Sequence, residues 1–168
     1  MVSETVSMGI NISDFPDLIT DLYSIVSIKS IASLQENTLA FVSRLNQHVA
    51  DRRNKMQNQL IERAKQFIQL NLSDETISLD SVSSQVGLSS IYFCKLFHKT
   101  VGISFNVFLN RERIKAAQKL LTETDMKIYE VACKTGYSNP KYFYYVFKRI
   151  TDMTPLEYRK NHTVLPKT

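Results

Sequence analysis

The chain lacks most of what would commit it to catalysis, secretion or a membrane. It has 2 cysteines in 168 residues, Cys94 and Cys133. They show neither metal-ligand spacing nor the dense pattern of a small secreted domain, so no disulfide scaffold is expected and a reducing, cytoplasmic setting is the default. No positively charged start leads into an apolar core at the N-terminus, and no apolar run approaches the roughly 20 residues needed to cross a bilayer. His48, His98 and His162 are scattered, with no carboxylate or cysteine at helical ligand spacing, so no metal site is implied. There is no phosphate loop, no nucleophile beside a base and no glycine-rich nucleotide motif, which argues against an enzyme and against a cofactor. Strand-type alternation of useful length is missing as well, leaving an all-α fold.

Glycine and proline are sparse, 4 of each, and none falls between Pro16 and Gly87. That stretch therefore reads as helix with few interruptions. From Phe15 the apolar residues Phe15, Leu18, Ile19, Leu22, Ile25 and Val26 recur at spacings of three and four, which predicts an amphipathic helix. Ser33-x-x-Glu36 reads as a capping box opening a second helix with Phe41, Val42, Leu45 and Val49 on its apolar stripe. The polar run Asp51-Arg52-Arg53-Asn54-Lys55 fits either a hinge or the exposed middle of a long helix. Val42, Leu45, Val49 and Met56 fit heptad positions, yet Arg52 falls on the same seam, so coiled-coil pairing and packing within the chain both stay open. Leu60, Ile61, Ala64, Phe67 and Ile68 mark a helix ending near Leu70 to Ser73.

What is present in quantity is positive charge, and it is unevenly placed. The formal net charge is +5; residues 1 to 55 hold 5 basic and 6 acidic side chains, residues 56 to 168 hold 16 and 10. The excess of six lies wholly in the second part, which favours a polyanionic partner there. An apolar content of 43% is enough for a buried core. The length suits a domain of about 110 residues with an extension.

The same part holds one short phrase twice, Tyr92-Phe93-x-x-Leu96-Phe97-His98-Lys99 and Tyr142-Phe143-x-x-Val146-Phe147-Lys148-Arg149. Each follows a glycine, Gly87 or Gly136, that ends a short apolar-periodic run. Ser78 is placed to cap the first run, from Leu79 to Val86, and Ser89 or Ser90 to cap the helix after it. Helix, glycine turn, helix is the outline of a helix-turn-helix DNA reader. Periodicity puts Phe93, Leu96 and Phe97 on the inward face of the first reading helix and Ser90, Ile91, Cys94, Lys95 and His98 outward. In the second, Phe143, Val146 and Phe147 face inward, with Pro140, Lys141, Tyr144, Tyr145 and Lys148 outward. Cys133, next to the inward Ala132, reads as a small core filler.

Between the two copies, Phe105 to Leu121 is rich in helix formers and reads as a rigid spacer of roughly 25 Å. Two readers so joined can address two successive major grooves, about 34 Å apart along one face of a duplex. Pro155 opens a last short helix with Tyr158 and Arg159, and residues 163–168 look like a loose tail.

The segment Leu79 to Arg159 also resembles the DNA-binding domain of AraC/XylS-type bacterial transcription regulators. The second unit carries the resemblance most fully: Ile128-x-Glu130-Val131-Ala132-x-x-x-Gly136-Tyr137-Ser138-x-x-x-Tyr142-Phe143-x-x-x-Phe147-Lys148-x-x-x-x-x-Thr154-Pro155-x-x-Tyr158-Arg159. The spacer Arg113-Ile114-x-x-Ala117-x-x-Leu120-Leu121 and the run Phe97-x-Lys99-x-x-Gly102-x-Ser104-Phe105 match too. The resemblance implies base-reading positions at Ser90, Ile91, Cys94 and Lys95 in the first unit and at Pro140, Lys141, Tyr144 and Tyr145 in the second. Phosphate neighbours are expected at Lys99, Arg111, Lys148 and Arg149, with Arg113 better suited to a structural role. Ile91 and Cys94 stand where larger polar groups are frequent in the family, which shifts the first unit toward thymine methyls or DNA shape.

The resemblance further implies transcription regulation, with activation through contact with RNA polymerase as the expected sign. Residues 1–55 are too few for the effector-binding barrel of many members. They read as a linker or dimerising arm ahead of a DNA-binding domain at 56–162, and the chain is expected to be the C-terminal portion of a longer regulator with a receiver or membrane-anchored sensor, a small stand-alone regulator being the alternative. No membrane contact is expected within the chain itself. The rival reading from another class is a helical protein-interaction module whose aromatic-basic helices dock a protein partner rather than DNA.

Overall fold

The computed structural model describes Thr20, Tyr23 and residues 31–162. The helix expected between Phe15 and Val26 and the tail at 163–168 lie outside these residues. Seven helices appear among them, in the order α1 (Ile31–Leu70), α2 (Leu79–Gln85), α3 (Ser90–Val101), α4 (Phe105–Glu123), α5 (Ile128–Lys134), α6 (Pro140–Thr151) and α7 (Pro155–His162), with no strand. The chain divides into two units, residues 1–56 and 57–168.

In the first unit, residues 31–56 are helical throughout, so Asp51 to Lys55 is helix and not a hinge. Ser33 already lies inside α1, which includes Ile31, and is therefore no N-cap. Phe41, Leu45 and Val49 are half-buried, whereas Ile31, Leu39, Val42 and Met56 are exposed.

The second unit holds two hydrophobic cores, one for each helix-turn-helix. The first is built from Ile61, Ala64 and Ile68 of α1, Val82 of α2, Phe93, Leu96 and Phe97 of α3, and Phe105 and Leu109 of α4. Phe97 is its centre, edge-on to Phe105 at 6.0 Å and to Phe108 at 5.4 Å. The second core repeats the plan with Ile114, Ala117 and Leu121 of α4, Val131 and Ala132 of α5, Tyr137, and Phe143, Val146 and Phe147 of α6. There Phe147 meets the Tyr158 ring edge-on at 5.5 Å. The spacer helix α4 thus puts its first half in one core and its second half in the other. Each buried Phe contributes on the order of 1.5–3 kcal/mol from removal of its ring from water. Of the aromatic residues in the twice-used phrase only the Phe residues serve this purpose: Tyr92 and Tyr142, which open it, stay exposed.

Local chemistry fixes where each helix starts. The Ser78 and Ser81 side chains and backbones form a reciprocal capping box on α2. Ser89, and not Ser90, caps α3. Asn139 Oδ1 accepts from the Lys141 and Tyr142 amides at 2.9 and 3.3 Å, with Pro140 in the first turn of α6 where its missing N–H costs nothing. At α7 the Thr154 amide and hydroxyl both donate to Glu157 at 2.8 Å, which holds that carboxyl below its ordinary value.

An arginine from the third helix of each unit closes the loop ahead of that unit. Arg159 donates from Nε to Leu121 O at 3.2 Å and from Nη2 to Met126 O at 2.6 Å. Arg113 does the same one unit earlier, from Nε to Leu72 O at 3.2 Å and from Nη2 to Asp74 O at 2.7 Å. Arg113 is only 7% exposed, and burial draws its guanidinium below the ordinary arginine value. The Tyr137 ring centroid lies 5.5 Å from its Cζ.

The second reader's turn seats directly on this arginine. A Cβ built on Gly136 would collide with the Leu72 carbonyl oxygen and lie 2.7 Å from Arg113 Nη2 and 2.8 Å from its Cζ. The equivalent Gly87 has open space there, although both glycines are left-handed, at φ +81 and +71. The next residue, Tyr137, is 3% exposed, and its hydroxyl donates to Asn110 Oδ1 on α4 at 3.0 Å. Loop 72–74 of the first reader, the turn of the second and the spacer helix therefore meet at one point.

Two stability predictions follow from this geometry. Gly87→Ala suffers only the strain of a positive φ, about 1 kcal/mol. Gly136→Ala adds a collision with backbone and is expected to cost about 3 kcal/mol or more, read as the difference in urea midpoint between the two variants. Burial pushes the Tyr137 phenol far above the ordinary tyrosine value of 10.0. The folded chain therefore holds that proton more tightly than the unfolded chain, so the phenol's contribution is whole below pH 10 and declines as pH rises toward the raised value. The stability gap between wild type and Tyr137→Phe should be constant from pH 7 to 9.5 and narrow at pH 11; a gap that widens there would contradict the burial argument.

Candidate nucleic-acid interface

α3 and α6 are both 12 residues long, both are followed by a left-handed residue (Gly102 and Asp152), and both turn a buried Phe-x-x-apolar-Phe face to their core. What they leave outside differs. On α3, Ile91 (74% exposed), Cys94, Lys95 and His98 form one stripe at helical spacing, and Lys99 is exposed in the last turn.

Ser90 stands apart from that stripe. It is half-buried, its hydroxyl bonds to the Asp80 carboxylate, and its Oγ lies 3.1 Å from Ser83 Oγ. The first residue of the reading helix is thereby tied to α2, fixing the angle between the two helices. Asp80 was not among the residues singled out from the sequence, and no local pattern marks it.

On α6, Pro140, Lys141, Tyr144, Tyr145 and Lys148 are all exposed, on the side away from Phe143 and Phe147. Tyr145 is 59% exposed and stacks on Tyr142 with ring centroids 6.5 Å apart, while Tyr144, 40% exposed, sits edge-on to Phe143 at 6.1 Å. Tyr145 therefore does not pack into the domain. Tyr142, which the periodicity assigned to the shared aromatic phrase, is a surface residue that braces Tyr145 from one side and touches Tyr137 at 6.1 Å on the other.

Arg111 and Arg149, 38 residues apart in sequence, are brought together at a groove of about 490 Å³ between α4 and α6, with Val107, Asn110, Tyr142, Tyr145, Val146 and Ile150. A shallower hollow of about 450 Å³ carries Lys148 and Arg149 beside Tyr144, Tyr145, Asp152 and Thr154. The cations thus border the aromatic face of α6, a positive edge beside an array of donors and stacking rings. Cys133 departs from expectation. It is exposed on α5, because the inward positions of that short helix are Val131 and Ala132 and a residue one step further falls outside the buried arc. Cys94 is exposed as the periodicity required.

Among the described residues no helix is long and apolar enough to cross a membrane.

Known proteins resemble the chain in sequence and in fold. A family model described as a helix-turn-helix domain matches residues 82–161. Regulatory protein PocR of Salmonella typhimurium is 40% identical over 100 residues, which are 60% of this chain and 33% of PocR. An uncharacterized HTH-type transcriptional regulator of Staphylococcus aureus is 38% identical over 93 residues, 55% of this chain and 12% of that protein. The chain therefore spans a third or less of the length of these relatives. Among solved structures, the C-terminal domain of AraT, a response regulator from Geobacillus stearothermophilus, superimposes with a TM-score of 0.63 at 31% identity, covering 65% of this chain and 90% of that one. The DNA-binding domain of AdpA, solved in complex with a target DNA, shares the fold at a TM-score of 0.58 and 22% identity, covering 60% and 90%. With two helix-turn-helix units on one spacer helix and nine-tenths of the AraT domain matched, the chain belongs to the AraC/XylS family of helix-turn-helix transcription regulators, whose DNA-binding domain it carries.

Proposed function

We propose that the chain binds duplex DNA sequence-specifically, with α3 and α6 entering successive major grooves on one face. The observation that carries this reading is the pair of equally capped, equally long helices that bury the same face and expose different ones. A common buried face makes two interchangeable mounts; unlike outer faces give each mount its own base preference.

In the first reader, Ile91 and Cys94 offer apolar contact to thymine methyls, Lys95 offers a donor to guanine edges, and Ser90 sets the helix angle from its bond to Asp80. In the second, Lys141 and the two phenols Tyr144 and Tyr145 offer donors and flat rings, and Pro140 lets the helix begin close to the backbone. Lys99, Arg111, Lys148 and Arg149 hold phosphates and fix register without reading sequence. The AdpA domain, of the same fold, was solved in complex with a target DNA, which is consistent with duplex DNA as the partner.

On this reading, residues 56–162 are the DNA-binding part and residues 1–55 a homodimerising arm, their exposed apolar residues on α1 meeting a second copy. Regulation is by activation through RNA polymerase, an assignment that rests on the family resemblance.

Duplex selection from a random library at moderate salt should enrich a motif spanning roughly two turns; recovery of no motif would instead favour the protein-interaction reading. Lys141→Ala should weaken the selected site about tenfold while leaving random DNA nearly unchanged, and equal loss on both would make Lys141 a phosphate contact. Each of Lys99→Ala, Arg111→Ala, Lys148→Ala and Arg149→Ala should lower the salt slope of binding by about 1 with little change in preference. Mass in solution with and without residues 1–55 tests the arm: a monomer in both forms removes it.

A further inference from the structure

The contact between the two readers has a chemistry of its own. A helical spacer alone leaves each reader free to roll on its own end of α4, because the two cores share no residue. Three features remove that freedom. The Gly136 turn lies against the Leu72 carbonyl, the same oxygen that accepts from Arg113 Nε. The Tyr137 ring covers the Arg113 guanidinium, and the Tyr137 hydroxyl reaches back to Asn110 on α4.

Comparison of the two copies shows that this is no general property of the motif. Gly87 has nothing within 4 Å of its Cβ position. After it, Leu88 leads straight to the cap Ser89, whereas after Gly136 two residues, Tyr137 and Ser138, precede the cap Asn139. The second turn is one residue longer, and the side chain it presents is an aromatic ring with a hydroxyl that is used.

We propose that the Tyr137–Asn110 hydrogen bond, with Gly136 seated on Leu72 and Arg113, sets the spacing between the two DNA half-elements that the chain accepts. The proposal rests on the two-groove reading above. Tyr137 and Asn110 act here as positioning residues, through the angle between α3 and α6. One base pair added between half-elements moves the second about 3.4 Å along the axis and rotates it by roughly 35°. A rigid joint cannot follow such a change, and the duplex absorbs only part of it by twisting. A loosened joint follows it more easily.

The decisive quantity is a ratio: affinity for the selected site over affinity for the same site with one base pair inserted or deleted between its halves. Any loss of folded protein lowers both affinities equally and cancels, so a merely structural role leaves the ratio unmoved. For the full-length wild-type chain the ratio should be about 100, near the loss of the base contacts of one reader. Tyr137→Phe and Asn110→Ala, which break the same hydrogen bond from opposite sides, should each lower it by about fivefold, the scale of one hydrogen bond, and together by no more than either alone. Phe108→Leu, which loosens the first core without touching the joint, should leave it as in wild type. Unchanged ratios in both joint variants, or an equal fall in Phe108→Leu, would overturn the proposal while leaving the two-groove reading intact. A wild-type chain indifferent to the inserted base pair would sink both.

Discussion

The guanidinium of Arg113 is buried with no carboxylate bonded to it, and that single constraint organises the DNA-binding unit. A charge taken out of water is tolerated only when hydrogen bonds replace its hydration. Arg113 finds them at the carbonyls of Leu72 and Asp74, and the tyrosine ring of residue 137 covers it. Because those carbonyls belong to the loop before α2 and the ring to the turn before α6, satisfying the arginine brings the two readers into contact. Position 136 must then lack a side chain, for a reason beyond its positive φ. Arg159 solves a local version of the same problem, holding the Leu121 and Met126 carbonyls ahead of α5.

How much of this could be read in the sequence depends on the range of the interaction. Much of what neighbours three or four residues apart govern was legible. The Phe93, Leu96 and Phe97 face, its counterpart Phe143, Val146 and Phe147, the cap at Ser78 and the stop at Gly136 all follow from helical periodicity and turn chemistry. Where one-step inference met the edge of a face it failed, at Cys133, which lies outside the buried arc. The Ser33 capping box failed for another reason: a good cap residue carries no information about whether the chain upstream is already helical. Arg113 could be assigned a structural role, but its partners Leu72 and Asp74 are 41 and 39 residues away and are bonded through backbone carbonyls, which no side-chain pattern encodes. Asn110 and Tyr137 bond through their side chains, but across 27 residues, a range that helical periodicity does not reach.

The exposed faces of α3 and α6 differ in stiffness as well as in chemistry. On α3 the exposed stripe is Ile91, Cys94, Lys95 and His98, of which only Lys95 and His98 make strong hydrogen bonds. Its orientation is held from behind, by Ser90 on Asp80 and Ser83 and by Gln57 Nε2 donating to the Tyr92 hydroxyl at 3.0 Å. On α6 the rings brace one another: Tyr142 lies between Tyr137 and Tyr145, and Tyr144 rests against Phe143. Large aromatic side chains with two rotatable bonds lose little entropy on binding, and neighbours that already restrict them reduce the loss further.

That bracing ties the second face to the joint. Tyr145 stacks on Tyr142, the Tyr142 ring tilts against Tyr137, and the Tyr137 ring lies under Arg113, so a chain of ring contacts runs from an exposed phenol on α6 to the buried guanidinium. The first face has no such route, since Ile91 and Cys94 make no ring contact and Tyr92 points to α1. A shift in the angle between the readers is therefore felt by the side chains of α6 before those of α3. The helix with the stronger exposed hydrogen-bonding groups is also the one whose geometry depends on the other unit being in place.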